Sequence, residues 1–130
     1  MSKKIEKVLI VDDVKGWRDY HSQIISELFA SSIIITADSA KEAYNKLFEH
    51  NESPFDIIIT DMQMEDDFEP KYAGEWLVEQ IKTFNNYSKT KIVIISAAYN
   101  VRLIAENLGV ECIPKPTAQN FPQAYEILKD

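Results

Sequence analysis

The chain has 130 residues, of which 45% are hydrophobic and 27% charged, a balance that fits one globular domain with its own core and excludes a disordered chain. A formal charge of −7 argues against direct binding to nucleic acid or to anionic membranes, both of which require basic surface. The single cysteine, Cys112, excludes an intramolecular disulfide and suits a reducing compartment. With no signal-like segment and no apolar stretch of membrane length, the expected location is the cytoplasm.

Short apolar runs alternate with helical patterns along the chain. The first run is VLIV, Val8–Val11, and acids follow it at once. Helical spacing then puts Trp17, Ile24, Ile25 and Leu28 on one face. A second run, IIIT at Ile33–Thr36, leads to DSAKEAYNKLFEH, where Asp38 or Ser39 offers an N-cap and Ala40, Ala43, Tyr44, Leu47 and Phe48 form the inward face. The third run, Ile57–Thr60, is IIIT again, and the helix after it repeats Trp76, Leu77, Ile81 and Phe84. A fourth run, IVII at Ile92–Ile95, precedes NVRLIAENLG, which ends at Gly109 as a C-cap. The weaker ECI, Glu111–Ile113, leads to a last helix through AQNFPQAYEILK, with Pro122 in its first turn.

Runs this rich in Val and Ile suit strands covered on both faces, as in a parallel sheet. The order βαβαβαβαβα, with right-handed crossovers, predicts one doubly wound, flavodoxin-like α/β domain spanning residues 1–130. The favoured strand order is 2-1-3-4-5. Such folds place their chemistry at the carboxyl ends of the strands. There the sequence sets Asp12 and Asp13 after strand one, Asp61 after strand three, Ser96 after strand four and Lys115 after strand five.

Three carboxylates in one crevice repel by about 4 kcal/mol per pair at about 4 Å with an effective dielectric near 20. Either one is protonated or a cation sits among them. Oxygen ligands with no His or Cys beside them point to a hard cation, Mg2+ rather than Zn2+. A lysine ammonium suits a phosphoryl oxygen, and a serine hydroxyl adds a donor. The set describes phosphoryl transfer to a carboxylate.

VDD after strand one, a lone Asp61 after strand three, SA after strand four and KP after strand five resemble the receiver domain of two-component response regulators, over essentially the whole chain. The resemblance implies that Asp61 accepts a phosphoryl group from the phosphohistidine of a sensor histidine kinase or a phosphotransfer protein. It implies Mg2+ held by Asp13, Asp61 and the backbone carbonyl of Gln63, with Asp12 acting through water. Ser96 and Lys115 then contact the phosphoryl group. Output would pass by docking to a downstream protein, from a monomer or a weak homodimer.

Three features depart from the family pattern. The segment between Asp61 and Gly74 is longer than usual and carries Glu65, Asp66, Asp67 and Glu69, read as a solvated acidic loop or as a loop that tunes partners or phosphate lifetime. Cys112 occupies the place of the usual switching aromatic, with Tyr99 as a candidate substitute. The stretch from Ser96 to Lys115 is short, implying a shortened fourth helix or loop. Cys112 reads as a small buried filler, and Trp17 and Trp76 as packing residues, with Trp17 near enough to the acids to report metal binding. His21 and His50 read as helix-surface histidines. The main alternative is a receiver-like scaffold or partner-binding module that works without phosphorylation. A haloacid-dehalogenase-type phosphatase would need a second Asp where Gln63 stands, and a flavin-binding flavodoxin would not carry the acidic DDVKGW after strand one.

Overall fold

The structure, a computed structural model, describes residues 4–64 and 72–129. Strands β1 (Lys7–Val11), β2 (Ile33–Ala37), β3 (Ile57–Thr60), β4 (Lys91–Ser96) and β5 (Glu111–Pro114) alternate with helices α1 (Lys15–Leu28), α2 (Ala40–Glu49), α3 (Ala73–Ile81), α4 (Val101–Leu108) and α5 (Lys115–Asn120). A 3₁₀ turn at Asn85–Tyr87 precedes β4, and a 3₁₀ segment at Pro122–Lys129 follows α5. The sheet is wholly parallel, in the order β2-β1-β3-β4-β5. The flavodoxin-like topology expected from the sequence is the one observed. No helix among the described residues is long and apolar enough to cross a membrane.

Strand alternation divides the core into two layers. Leu9, Val11, Ile58, Ile92 and Ile94 pack with Ala43 and Leu47 of α2, Leu77 and Ile81 of α3 and Ala105 of α4. Val8, Ile10, Ile57, Ile59, Val93, Ile95 and Ile113 pack on the other face with Ile25 of α1, Ala118, Tyr125 and Leu128. The two IIIT runs fare differently. In β3 all four residues are buried, whereas in β2 Ile33 is 58% exposed. β3 pairs on both sides, while β2 is an edge strand paired only to β1.

Helix ends follow local chemistry. Ser39 caps α2 by accepting the Glu42 N–H at 3.0 Å, and Glu42 accepts the Asp38 N–H at 3.2 Å. Gly109 ends α4 in the left-handed region at φ 73°. The last helix departs from expectation, because α5 stops at Asn120 and the chain continues as 3₁₀. Pro122 has no N–H to give the Ala118 carbonyl four residues back. That carbonyl accepts the Tyr20 hydroxyl instead, at 2.8 Å.

Candidate functional site

Strand register brings the predicted residues to one edge. Val11 is level with Thr60 across β1 and β3, so Asp12 and Asp61 leave the sheet side by side. Ser96 is level with Pro114, so Lys115 emerges next to the end of β4. Asp12, Asp13 and Asp61 each offer a carboxylate oxygen, all within 4.8 Å of one another. Asp12 and Asp61 are buried and Asp13 is half-buried. Gln63 is exposed, and its N–H lies 3.4 Å from Asp61 Oδ1. Ser96 is buried, with its Oγ accepting the Ala98 N–H at 3.2 Å rather than meeting the carboxylates. Glu65, Asp66, Asp67 and Glu69 lie outside the described residues.

Lys115 holds the cluster together. Its Nζ donates to Asp61 Oδ2 at 2.9 Å and makes an ion contact with Asp12 Oδ2 at 3.0 Å that lacks hydrogen-bond alignment. Asp12 Oδ2 is thus a buried oxygen with no hydrogen bond. Its other oxygen accepts the Val14 N–H at 2.9 Å. Burial, reinforced by the Asp61 charge, pushes the Asp12 carboxyl above its ordinary range against the pull of Val14 and Lys115. Burial works against the Lys115 ammonium, but the charges of Asp61 and Asp12, with the hydrogen bond to Asp61, outweigh it and raise its pKa.

Asp61 is aimed by its backbone. Its Oδ1 accepts the Met62 N–H at 2.7 Å, its carbonyl accepts the Thr60 hydroxyl at 2.8 Å, and the Met62 carbonyl accepts the Gly74 N–H at 3.0 Å. A Cβ on Gly74 would lie 1.9 Å from the Asp61 carbonyl oxygen. Only a glycine there lets α3 press against the turn that carries Asp61.

One neighbour of the site, Arg18, was not singled out by sequence. The Arg18 guanidinium donates to the Asp12 carbonyl at 2.8 Å. The Lys115 ammonium sits 4.9 Å from the centre of the Trp17 ring, so Trp17 does border the acids. His21 is a correction: it is not on the helix surface but buried, its Nδ1 2.7 Å from the Tyr125 hydroxyl and its Nε2 4.0 Å from Asp12 Oδ2. Burial, with the Lys115 charge adding to it, lowers its pKa from 6.5 to about 3, so the ring is neutral at pH 7. Its position four residues after Trp17, on the stripe of Ile24, Ile25 and Leu28, was the available signal. His50 is half-buried, with Nδ1 3.1 Å from Lys7 Nζ. Cys112 is half-buried against the α2–α3 core layer, and Tyr99 is 97% exposed.

All-oxygen donors around a buried, unbonded Asp12 Oδ2 fit a hard divalent cation. The model of the response regulator receiver domain matches residues 8–124. The chain belongs to the response regulator receiver family. Among solved structures, this receiver is similar to the chemotaxis response regulator CheY4 of Vibrio cholerae, with TM-score 0.74 and 23% identity over 95% of this chain and 98% of that one. It is similar to the signal receiver domain of a DNA-binding response regulator from Colwellia psychrerythraea, with TM-score 0.76 and 23% identity over 95% of each chain. It also resembles the N-terminal domain of an uncharacterized protein from Wolinella succinogenes, with TM-score 0.63 and 29% identity over 97% of this chain and 99% of that one. No curated protein matches the receiver in sequence.

Proposed function

We propose that this receiver, as a single domain over residues 1–130, takes a phosphoryl group onto Asp61 from the phosphohistidine of a sensor histidine kinase or phosphotransfer protein in the cytoplasm. The observation that carries the reading is the convergence of three acidic oxygens within 4.8 Å on a buried lysine bonded to Asp61. Asp61 Oδ2 attacks phosphorus, the P–N bond breaks, and the imidazole leaves with its electron pair and takes up a proton from solvent. The Met62 N–H on Oδ1 and Lys115 on Oδ2 orient the carboxylate for that attack. Lys115 then bears on a phosphoryl oxygen, and Ser96 turns its hydroxyl from the Ala98 N–H towards another. A groove lined by Val14, Gly16, Trp17, Tyr20 and Gln119 lies beside the crevice, where the Trp17 ring meets the Lys115 ammonium.

Asp13, Asp61 and the Gln63 carbonyl would hold Mg2+, with Asp12 contributing through water. When bound, the ion neutralises negative charge on the phosphoryl oxygens. The bound phosphoryl group changes the charge at the sheet edge and thereby the surface offered to a downstream protein.

Intact mass after incubation with acetyl phosphate tests the reading. One phosphoryl adduct is expected with Mg2+, none with EDTA, and none on Asp61→Asn. Folded wild-type protein that gains no adduct would favour a scaffold that works without phosphorylation.

Lys115 also competes with the cation for the same oxygens. Removing one positive charge a few ångströms from a divalent ion makes Lys115→Met bind Mg2+ roughly tenfold more tightly while forming the adduct more slowly. Calorimetric Mg2+ titration beside the mass assay checks both; weaker Mg2+ binding by the variant would contradict the competition.

A further inference from the structure

Tyr125 and His21 are fully buried between α1 and the C-terminal 3₁₀ segment. Among the described residues, the hydrogen-bond partner of the Tyr125 hydroxyl is His21 Nδ1, at 2.7 Å. A buried hydroxyl needs an acceptor for its proton, and a neutral imidazole has one acceptor nitrogen and one donor nitrogen. With Nδ1 accepting from Tyr125, the ring proton is on Nε2. That N–H lies 4.0 Å from Asp12 Oδ2, the buried oxygen that no aligned donor serves. Lys115 Nζ approaches the same oxygen at 3.0 Å but spends its aligned hydrogen bond on Asp61.

We infer that His21 is a positioning residue for Asp12 and couples the acidic crevice to Tyr125 in the C-terminal 3₁₀ segment. The inference rests on the phosphoryl-accepting reading. The ammonium has three N–H donors, but none is aligned on Asp12 Oδ2, so the Asp12 contact is the weaker of its two and the first to yield to an arriving phosphoryl oxygen. As Lys115 is displaced from Asp12, first by the cation and then by the phosphoryl group, Asp12 Oδ2 remains a buried charge with the His21 Nε2–H nearby. Closing the present 4.0 Å gap to an ordinary N–H···O distance near 2.9 Å takes a shift of about 1 Å. Nδ1 holds the Tyr125 hydroxyl, so ring and tyrosine move together. Tyr125 lies edge-on to Tyr20, with ring centres 6.3 Å apart, and Tyr20 holds the Ala118 carbonyl where Pro122 interrupts the helix. The displacement therefore reaches the junction between α5 and the 3₁₀ segment. This route uses neither Cys112, which has no ring to rotate, nor Tyr99, which is 97% exposed.

Two substitutions separate the nitrogens. An asparagine amide occupies the place of Nδ1, so His21→Asn keeps a partner for Tyr125 and loses the donor towards Asp12. A glutamine amide reaches the place of Nε2, so His21→Gln does the reverse. Calorimetric Mg2+ titration is expected to show about tenfold weaker binding for His21→Asn and a change within about threefold for His21→Gln. In protein labelled with 3-fluorotyrosine, the Tyr125 fluorine resonance, assigned with Tyr125→Phe, should shift on adding Mg2+ and acetyl phosphate. That shift should occur in wild type and be lost in both His21 variants, since the relay needs both nitrogens. Unchanged Mg2+ affinity in His21→Asn, equal weakening in both variants with equal falls in melting temperature, or a Tyr125 shift in all three proteins alike would overturn the inference. Wild type that takes up a phosphoryl group with the Tyr125 resonance unmoved would overturn this inference alone. Wild type that takes up none overturns the reading beneath it.

Discussion

Gly74→Ala is expected to cost both stability and phosphoryl acceptance. The added Cβ would stand 1.9 Å from the Asp61 carbonyl oxygen and 2.7 Å from Met62 Cα, and both are backbone atoms. No side chain can rotate aside to relieve that contact, so either α3 or the turn after β3 must move. Overpacking of this kind costs about 3 kcal/mol, the upper end of its usual range. For a domain of this size that lowers the melting temperature by about 10 °C. The same displacement carries the Asp61 carboxylate away from Lys115, so adduct formation with acetyl phosphate should fall by more than the loss of folded protein explains. Gly16→Ala is the control, because a Cβ there meets nothing within 4 Å. Its helical position makes it neutral or stabilising by up to about 1 kcal/mol. Equal melting temperatures for the two variants would show that the α3 contact does not constrain the site.

Acid should unfold the protein in part through His21. The ring has a pKa of about 3 in the folded protein against 6.5 ordinarily, chiefly because burial disfavours the cation. The unfolded chain takes up this proton as pH falls below 6.5 while the folded protein does not, so stability falls through the window from 6.5 to about 3. By pH 4 the loss relative to pH 7 is about 3 kcal/mol from this group. Asp12, with its carboxyl raised, works in the opposite sense, since the folded protein binds that proton more readily. Denaturant unfolding of wild type and His21→Asn at a series of pH values isolates the histidine. The variant should show a shallower decline below pH 6.5, and parallel declines would contradict the assignment. At the alkaline end, burial pushes Tyr87 up to about 12 and raises Tyr125 as well, and Lys115 is raised too. Their contributions are complete below pH 10 and fade above it.

The acidic crevice was legible because strand ends and side-chain chemistry are both local in sequence. Apolar runs mark where β1, β3, β4 and β5 stop, and parallel register does the rest. The same tetrapeptide in β2 and β3 shows the limit. IIIT is half-exposed in one and buried in the other because position in the sheet, not composition, decides what covers a strand. His21 reads as a polar residue on an amphipathic helix until Tyr125, 104 residues away, supplies its partner. Gly74 gives no sign of its closeness to Asp61, since the contact depends on the angle at which α3 meets the β3 turn. Pro122 reads from sequence as a first-turn residue, whereas in the fold it follows the end of α5, with the Tyr20 hydroxyl on the Ala118 carbonyl.

The central claim is that Asp61, among three neighbouring carboxylates, carries the phosphoryl group. Borohydride reduction tests it most directly. Hydride adds to the acyl phosphate carbonyl, the C–O bond to phosphate breaks, and a second hydride leaves the side chain as the alcohol of homoserine. Tandem mass spectrometry of the digested protein then locates that alcohol. Homoserine at position 61 alone, formed only when Mg2+ and acetyl phosphate are both present, is the predicted result. Homoserine at position 12 or 13, or a phosphoryl group retained on His21 or His50 after reduction, would contradict it.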